Sequence, residues 1–299
     1  MWLVLIVLLE CALLWLFVKW TVSFYGAVFC FFVYALFYMD KSERTGRRSF
    51  DRLRELWLWA WLSGTKHSFY NEVSFENEKR GCLILVAPCL TPLAMIWGFG
   101  FHGNRVMAKK EILWACPRAL FRIPLLRDVL LWSGAVSDNL TDVIALVNRN
   151  YTVAMSPSGL RDAADSDGTS FYGISREIAS FCVHNMVNVH PAWIDGQYGR
   201  YAFSGGEQVR SLQRKSLRAF GYPFPMLCCC RCSEKLMASV GAPCVPKRLD
   251  GHSMETDTKA FIAKVKSGWM TLTTTDNPLS GISYTIKDPE AQLCANGIV

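Results

Sequence analysis

Charged residues are almost missing from the first 39 residues, which carry only Glu10 and Lys19. The remainder of this stretch is apolar, and it is too long for one bilayer crossing of about 20 residues and slightly short for two. A cleaved signal peptide is not favoured, because the chain starts MWLVL without a basic region and the apolar run continues past any cleavage point. We therefore expect residues 1–39 to form a retained membrane anchor, as a transmembrane or re-entrant helical hairpin.

Patterns that indicate a cofactor or a nucleic acid are also lacking. The sequence has no glycine-rich nucleotide-binding loop, and no spacing of His, Cys and Asp that would make a metal site. The net charge of +7 is moderate, and the basic residues are not interleaved with aromatics as nucleic-acid binding requires. We therefore expect no metal, no resident cofactor and no nucleic-acid partner.

The 12 cysteines lack the spaced pairs that are typical of an extracellular disulfide framework. Reduced cysteines in a protein that faces the cytosol are the simpler interpretation. A single pentapeptide places four sulfurs poorly around a zinc ion, so the CCCRC run is a weak metal signal, with palmitoylation near a membrane as an alternative. That run contains Cys228, Cys229, Cys230 and Cys232.

The segment that follows the apolar stretch is basic. Residues 40–54 hold six Lys or Arg against three acids. Positive residues next to a membrane span favour the cytosolic side, so the bulk of the chain is expected to face the cytosol.

Strand-like apolar runs alternate with helix-like segments through the rest of the chain, which predicts an α/β fold with a sheet flanked by helices. We divide the chain into an anchor over 1–39, one domain over 40–270 and a poorly ordered tail over 271–299. Within the domain, 205–235 is predicted to be irregular, basic and cysteine-rich. The other predicted elements are a strand over 82–86, a helix over 141–147, strands over 151–155 and 187–194, a helix over 174–184, a strand and turn over 236–246, and a helix over 256–269.

The strand over 82–86 leads into an abrupt turn, Ala87-Pro88-Cys89-Leu90, and a second apolar segment follows Pro92. The carboxyl ends of strands in α/β sheets commonly carry the chemistry. This turn presents no histidine, serine or carboxylate, so it has the position of an active site without an obvious catalytic group.

Three sequence blocks occur in an informative order: DKSERTGRRS at 40–49, FRIPLLRDVLLWSGAVS at 121–137 and VGAPCVP at 240–246. In this order the blocks resemble the type 2 diacylglycerol acyltransferase and monoacylglycerol acyltransferase family, within the glycerolipid acyltransferase superfamily. The resemblance runs from about residue 1 to residue 270. It implies a glycerolipid acyltransferase-like sheet and transfer of a fatty acyl group from acyl-CoA to a hydroxyl.

That family carries His-Pro-His-Gly at the end of the first strand, where a histidine acts as the general base on the acceptor hydroxyl. The corresponding positions here are Ala87, Pro88, Cys89 and Leu90, so only the proline is kept. Three interpretations remain open. Cys89 replaces the base as a nucleophile, His102 folds back into the site, or the site is a catalytically inactive relic that binds lipid or modulates an active acyltransferase.

Candidate substrate-binding residues follow from the same resemblance. SPSGLRD at 156–162 resembles the superfamily's Pro-Glu-Gly-x-Arg turn, and an arginine presented there could hold a phosphate of CoA or a lipid headgroup. For the segment 156–162 the alternative is an ordinary turn with a solvated arginine. For Arg122 and Arg127 the alternative is a structural salt bridge. His190 is interpreted as a core histidine. The substrate-binding candidates are Ser158, Gly159, Arg161, Arg122, Arg127, Arg105 and Lys109.

The resemblance also implies a location and partners. We expect the endoplasmic reticulum membrane, with lipid droplets as a further location. The expected partners are membrane lipid, acyl-CoA as co-substrate, and an acylglycerol or another lipid alcohol, and a homo-oligomer is one option for the assembly.

Overall fold

The structure is a computed structural model of the chain. It describes residues 12, 14–15, 24–38, 40–46, 81–87, 112–123, 126–157, 170–195, 201–202, 207–220, 229–230, 237–248, 251, 253–275 and 285–287.

A six-stranded sheet forms the centre of the described structure, in the order β3-β2-β4-β1-β6-β9. The first five strands in this order pair in parallel, and β9 pairs with β6 in antiparallel fashion. Its strands are β1 (Leu83–Ala87), β2 (Ile112–Cys116), β3 (Ala135–Ser137), β4 (Thr152–Met155), β6 (Val189–Asp195) and β9 (Met237–Val240). The other strands are β5 (Ser170–Tyr172) with β10 (Thr285–Lys287), a parallel pair, and β7 (Tyr201–Ala202) with β8 (Cys229–Cys230), an antiparallel pair.

Within the described residues, helices lie between β2 and β3, between β3 and β4, and between β4 and β6, as parallel pairing requires. Those in the described residues are α1 (Phe24–Tyr38), α2 (Ser42–Thr45), α3 (Leu126–Trp132), α4 (Leu140–Val147), α5 (Arg176–Asn185), α6 (Glu207–Phe220) and α7 (Met254–Thr275), with a 3-10 helix over Arg118–Arg122. Side chains cap three of them: Asn139 accepts from the Thr141 N–H at α4, and Ser175 accepts from the Ile178 N–H at α5. Ser253 accepts from the Thr256 N–H at α7. The α/β fold with a parallel sheet and flanking helices is therefore confirmed.

Strand β1 is buried along its whole length, which explains why its sequence is continuously apolar rather than alternating. Gly81 enters this strand where a Cβ would lie 2.0 Å from the Val147 carbonyl oxygen, so only glycine fits. On one face of the sheet, Leu83, Leu85 and Ala87 belong to the main core, which α5 and α7 also line.

An aromatic cluster holds α7 against the two central strands. The Phe171 ring lies edge-on to Trp193, with centroids 5.1 Å apart, and to Trp269, with centroids 6.0 Å apart. The Trp269 indole N–H donates to the carbonyl oxygens of Leu85 and Ala192, each at 3.2 Å. A buried indole with its N–H satisfied fixes helix α7 to β1 and β6 at one point.

A histidine replaces a missing backbone donor in β6. Pro191 has no N–H, yet it lies opposite Gly241, whose N–H donates to the Pro191 carbonyl at 2.7 Å. The Gly241 carbonyl instead accepts from Nδ1 of His190, at 3.3 Å. His190 is fully buried, so the interpretation of it as a core histidine agrees with the structure. A Cβ on Gly241 would lie 3.0 Å from the Pro191 ring, which explains the Val-Gly pair of the third sequence block.

The predicted elements between 141 and 269 are found with shifts of a few residues at their ends. The prediction that 205–235 is irregular is wrong for Glu207–Phe220, which forms helix α6. Within 271–299, α7 continues to Thr275 and β10 pairs with β5. Among the residues that the structure describes, no helix is both long enough and apolar enough to cross a membrane.

Candidate functional site

The edge of the sheet where β1 and β4 end is the candidate site. Leu85 of β1 pairs in parallel with Met155 of β4, so the two strands run side by side and finish at the same edge. The chain leaves β1 after Ala87 toward Pro88-Cys89-Leu90, and it leaves β4 toward Ser156-Pro157 and the SPSG turn. The fold thus places the ends of β1 and β4 side by side. The two segments that follow these strands, from Pro88 and from Ser156, lie about 70 residues apart in the sequence.

Ala87, which the sequence resemblance aligns with the first position of that family's signature, is a core residue. It is fully buried and pairs with Trp193 of β6, and both belong to the main hydrophobic core. Paired residues of parallel strands present their side chains to the same face, so the Ala87 methyl lies beside the Trp193 indole. A larger polar side chain at this position would have to displace the aromatic cluster.

The histidines within the described residues lie away from this edge. His190 pairs with Ile84, three residues before the end of β1, which is about 10 Å along the strand. Its Nδ1 is also occupied by the Gly241 carbonyl. His184 is exposed near the end of α5. Neither described histidine is therefore placed to act on a group at the edge.

Several of the predicted site residues lie outside the described residues. They are Cys89, His102, Arg105, Lys109, Ser158, Gly159 and Arg161. Their roles stay predictions.

Arg127 forms a buried ion cluster, so the salt-bridge alternative describes its contacts. Its guanidinium, 1% exposed, donates to Asp40 at 3.0 Å and to Glu43 at 2.9 Å. Burial lowers the pKa of Arg127, but the hydrogen bonds and charges of the two carboxylates offset this and leave the pKa above its ordinary value. Asp40 also accepts from the hydroxyl and the N–H of Ser42. The cluster joins the first sequence block to the second.

Arg122, at the end of the 3-10 helix, is exposed. Its side chain is therefore open to solvent, whereas Arg127 already faces two carboxylates. Of these two arginines, Arg122 is the one that a phosphate could reach without breaking a buried ion pair.

Asp138 follows β3 and is a titratable group that the sequence reading missed. Desolvation raises the pKa of Asp138 to about 6, against the lowering effect of hydrogen bonds from the backbone N–H groups of Arg118 and of Asp138 itself. In the sheet order β3 lies three strands from β1, about 14 Å away. Asp138 is too distant to act on a group that follows Ala87. No sequence pattern signalled it, because its burial depends on tertiary packing.

Two buried cysteines are protonated thiols at neutral pH. Burial raises the pKa of Cys182 to about 12. Burial also raises the pKa of Cys244, an effect that the charge of Lys264 partly opposes. Because the thiolate is the nucleophile, these two side chains are structural.

The described residues define an α/β protein with a largely parallel sheet, in which β1 and β4 end side by side at one edge. No protein-family model matches the sequence, and no curated protein matches it. Among solved structures, the chain is similar to the 1-acyl-sn-glycerophosphate (LPA) acyltransferase PlsC from Thermotoga maritima. The alignment has 17% identity and a TM-score of 0.46, and it covers 87% of this chain and 92% of that chain. This likeness does not define the reaction or the acceptor of the present chain.

Proposed function

We propose that this chain is a membrane-attached protein of the acyl-CoA-dependent O-acyltransferase type. The proposed reaction moves a fatty acyl group from the thioester of acyl-CoA to the hydroxyl of an acylglycerol or long-chain alcohol and releases CoA as a thiol. The proposed location is the cytosolic face of the endoplasmic reticulum membrane, with lipid droplets as a further location. The resemblance of the three sequence blocks is the origin of this proposal.

The observation that supports it best is the pairing of β1 with β4. The two sequence positions that resemble the signature and the phosphate turn of the family follow neighbouring strands and leave the same edge of the sheet. An acyl acceptor held near the end of β1 and a phosphate held near the end of β4 would then lie close to each other. Transfer itself requires the acceptor hydroxyl to meet the thioester carbonyl, which the pantetheine arm of CoA separates from its phosphates. The shared edge therefore supports the proposal as a common binding region for the two substrates.

In this proposal, Cys89 or His102 supplies the reactive group. A cysteine nucleophile would attack the thioester carbonyl and form an acyl-cysteine, with CoA leaving as its thiol, before the acceptor hydroxyl displaces the cysteine. A histidine base would instead take the proton of the acceptor hydroxyl as that oxygen attacks the thioester. Arg161 and Arg122, with Arg105 and Lys109, are proposed to hold the phosphates of CoA.

A non-catalytic role is the second candidate, and the environment of Ala87 favours it. Where the family signature has an imidazole, this chain has a buried methyl group next to Trp193. Neither histidine in the described residues compensates from a neighbouring strand. Such a protein would bind lipid, or bind an active acyltransferase, without turnover.

An acyl-transfer assay on the full-length protein in purified membranes separates the two candidates. Labelled acyl-CoA would be offered with a panel of acylglycerols and long-chain alcohols. Turnover is expected to fall by at least about 100-fold in whichever of Cys89→Ala and His102→Ala removes the reactive group. Cys30→Ala, which removes an exposed thiol of α1, is the matched control and should keep full activity.

The two candidates differ in the results that would contradict them. Turnover that survives both substitutions would contradict the assignment of Cys89 and His102. Absence of turnover with every acceptor, in a protein that still binds acyl-CoA or lipid, would establish the non-catalytic candidate. An acyl-cysteine adduct that is trapped before acceptor is added and mapped to Cys89 would assign Cys89 as the nucleophile.

A further inference from the structure

Helix α6 leaves Leu212 exposed, whereas Gln213 and Ser216 are buried on a different side of the helix, where Val209 and Leu217 are half-buried. Gln213 is 2% exposed and Ser216 is 8% exposed, whereas Leu212 is 53% exposed. The Ser216 hydroxyl donates to the backbone carbonyl of Gln213 at 3.0 Å, which satisfies this buried hydroxyl within the helix. A single exposed leucine is ordinary at a protein surface, so the charge that surrounds Leu212 decides what this face can bind.

The outer face combines Leu212 with positive charge. Gln208, Leu212, Lys215 and Ala219 are spaced by four, three and four residues, which places them on one side of the helix, and all four are exposed. Arg218 is also exposed and borders this face. Over its whole length α6 has four cations, at positions 210, 214, 215 and 218, against the single acid Glu207.

This composition fits an anionic bilayer surface better than it fits a protein or a nucleic acid. A protein interface of this size would need a larger apolar centre than one leucine. Single-stranded nucleic acid would need aromatic side chains on which bases stack, and the outer face has none. A single aliphatic side chain among flexible cations is the pattern that enters the headgroup region, where the leucine is buried and the cations meet phosphate. The sequence that continues from α6, GYPFPML at 221–227, is itself apolar.

We propose that the outer face of α6, formed by Leu212, Lys215 and Arg218, binds the surface of a membrane that contains anionic phospholipid. This contact rests on the membrane attachment in the proposed function and adds to it a second point of contact, far in sequence from residues 1–39. Its charge also makes it selective for lipid composition, which an apolar anchor is not.

Site-specific photo-crosslinking in the full-length protein tests the contact. Leu212→p-benzoylphenylalanine would be reconstituted in vesicles of phosphatidylcholine alone and of phosphatidylcholine and phosphatidylserine in equal parts. Ala260→p-benzoylphenylalanine, at an exposed position of α7, is the matched control. We expect the probe at 212 to crosslink phospholipid in the mixed vesicles several-fold more than the probe at 260. Removal of phosphatidylserine should lower the yield at 212 by about fivefold or more for each cation that contributes.

Charge variants in the same background complete the test. Lys215→Glu with Arg218→Glu should bring lipid crosslinking at 212 down to the level at 260, whereas Lys215→Arg with Arg218→Lys should retain it. Equal crosslinking at 212 and 260, equal crosslinking with and without phosphatidylserine, or a crosslink to a second copy of the chain would each overturn the proposal.

Acyl transfer is measured separately on the unsubstituted protein in the mixed vesicles. Lipid crosslinking at 212 without acyl transfer would contradict only the catalytic proposal. Acyl transfer without lipid crosslinking at 212 would contradict only the α6 contact.

Discussion

At the scale of single residues, the structure separates groups that are available for chemistry from groups that are committed to the core. The imidazole of His190 is committed to the Gly241 carbonyl, and burial keeps the Cys182 thiol protonated. Ala87 is also a core residue, because it pairs with Trp193 and its methyl group lies beside the indole. What remains for chemistry at the edge are residues that follow the strands rather than residues within them.

Asp138 gives a pH-dependent prediction at this scale. Its folded-state pKa of about 6 is above the ordinary 3.8, so the folded protein binds this proton more tightly than the unfolded chain does. Its contribution to stability is therefore present below about pH 4 and is lost as the pH rises through 6. Asp138→Asn should remove this decline and raise the free energy of unfolding by about 2 kcal/mol at pH 8.

Denaturation followed by tryptophan fluorescence at several pH values checks this expectation. Asp142→Asn, which removes a carboxylate from the first turn of α4, is the control and should leave the decline in place. A decline between pH 4 and 6 that persists in Asp138→Asn would show that another group causes it.

At the scale of elements, the Arg127 cluster connects the beginning of the described domain to helix α3. Asp40 lies two residues after the end of α1, and Gly46 ends α2 with a φ of +65°, where a Cβ would lie 3.0 Å from Leu113. The short segment over residues 40–46 is therefore fixed by charge at one end and by close packing at the other. Two sequence blocks that are separate in the chain act as one structural unit.

Substitution of Arg127 should destabilise the fold rather than weaken substrate binding. Arg127→Met removes the charge-assisted hydrogen bonds to two partly exposed carboxylates, at an expected cost of about 2–3 kcal/mol. Arg127→Lys keeps the charge but cannot bond both carboxylates with one planar fork, so we expect a loss of about 1–2 kcal/mol. Thermal melting measures both, with exposed Arg122→Lys as the control that should change stability by less than about 0.5 kcal/mol.

The substrate-binding alternative for Arg127 makes the opposite prediction. If the guanidinium contacted a phosphate of CoA, Arg127→Lys would raise the KM for acyl-CoA while the melting temperature stayed unchanged. That result would show that Arg127 binds acyl-CoA rather than stabilising the fold.

Local sequence patterns were sufficient to predict most of the helices and strands. They could not predict contacts between residues that lie far apart in the sequence. The strands around 153 and 190 and helices α4, α5 and α7 follow from apolar runs and periodicity that are visible in a short window. The partners of Arg127 lie 84 and 87 residues away, so the sequence left its salt bridge and phosphate alternatives equal. Strand β10 has three residues and exists through its pairing with β5. Helix α6 was missed although Val209, Leu212 and Phe220 recur at helical spacing, because the basic and cysteine-rich composition of 205–235 indicated irregular structure.

Sequence reasoning predicted a candidate site but could not complete it. The order of the sequence blocks pointed to the end of β1, and the pairing with β4 agrees with a shared edge. Whether a residue in a turn reaches a neighbour depends on tertiary geometry that no spacing encodes. Cys89, His102 and Arg161 therefore remain predictions.

At the scale of the whole molecule, α1 exposes apolar side chains to an extent that is unusual for a surface in water. Phe29, Phe31 and Phe32 are 67%, 74% and 62% exposed. We propose that these side chains contribute to the membrane attachment of the chain, next to the basic segment that begins at Lys41.

The triple variant Phe29→Ser, Phe31→Ser and Phe32→Ser tests this attachment. Each phenylalanine is worth about 1.5–3 kcal/mol when it is buried in an apolar phase, so the variant should increase the fraction extracted from membranes by alkaline carbonate. Met270→Ser, at an exposed position of α7, is the control and should leave extraction unchanged. Unchanged extraction of the triple variant would assign attachment to other residues.

The position of β1 has a further consequence for the biogenesis of the chain. Although β1 is the first strand of the sheet in the sequence, both of its neighbours are made later, since Leu83 pairs with Val153 on one side and with Val189 on the other. At ordinary rates of translation, the chain from Leu83 to Val189 takes about 5 to 20 s to synthesise. For that time the most apolar strand of the protein has no partner on its β6 side. The ribosome-bound chain should therefore depend on chaperones until β6 emerges, and the edge that carries the candidate site can form only after that moment.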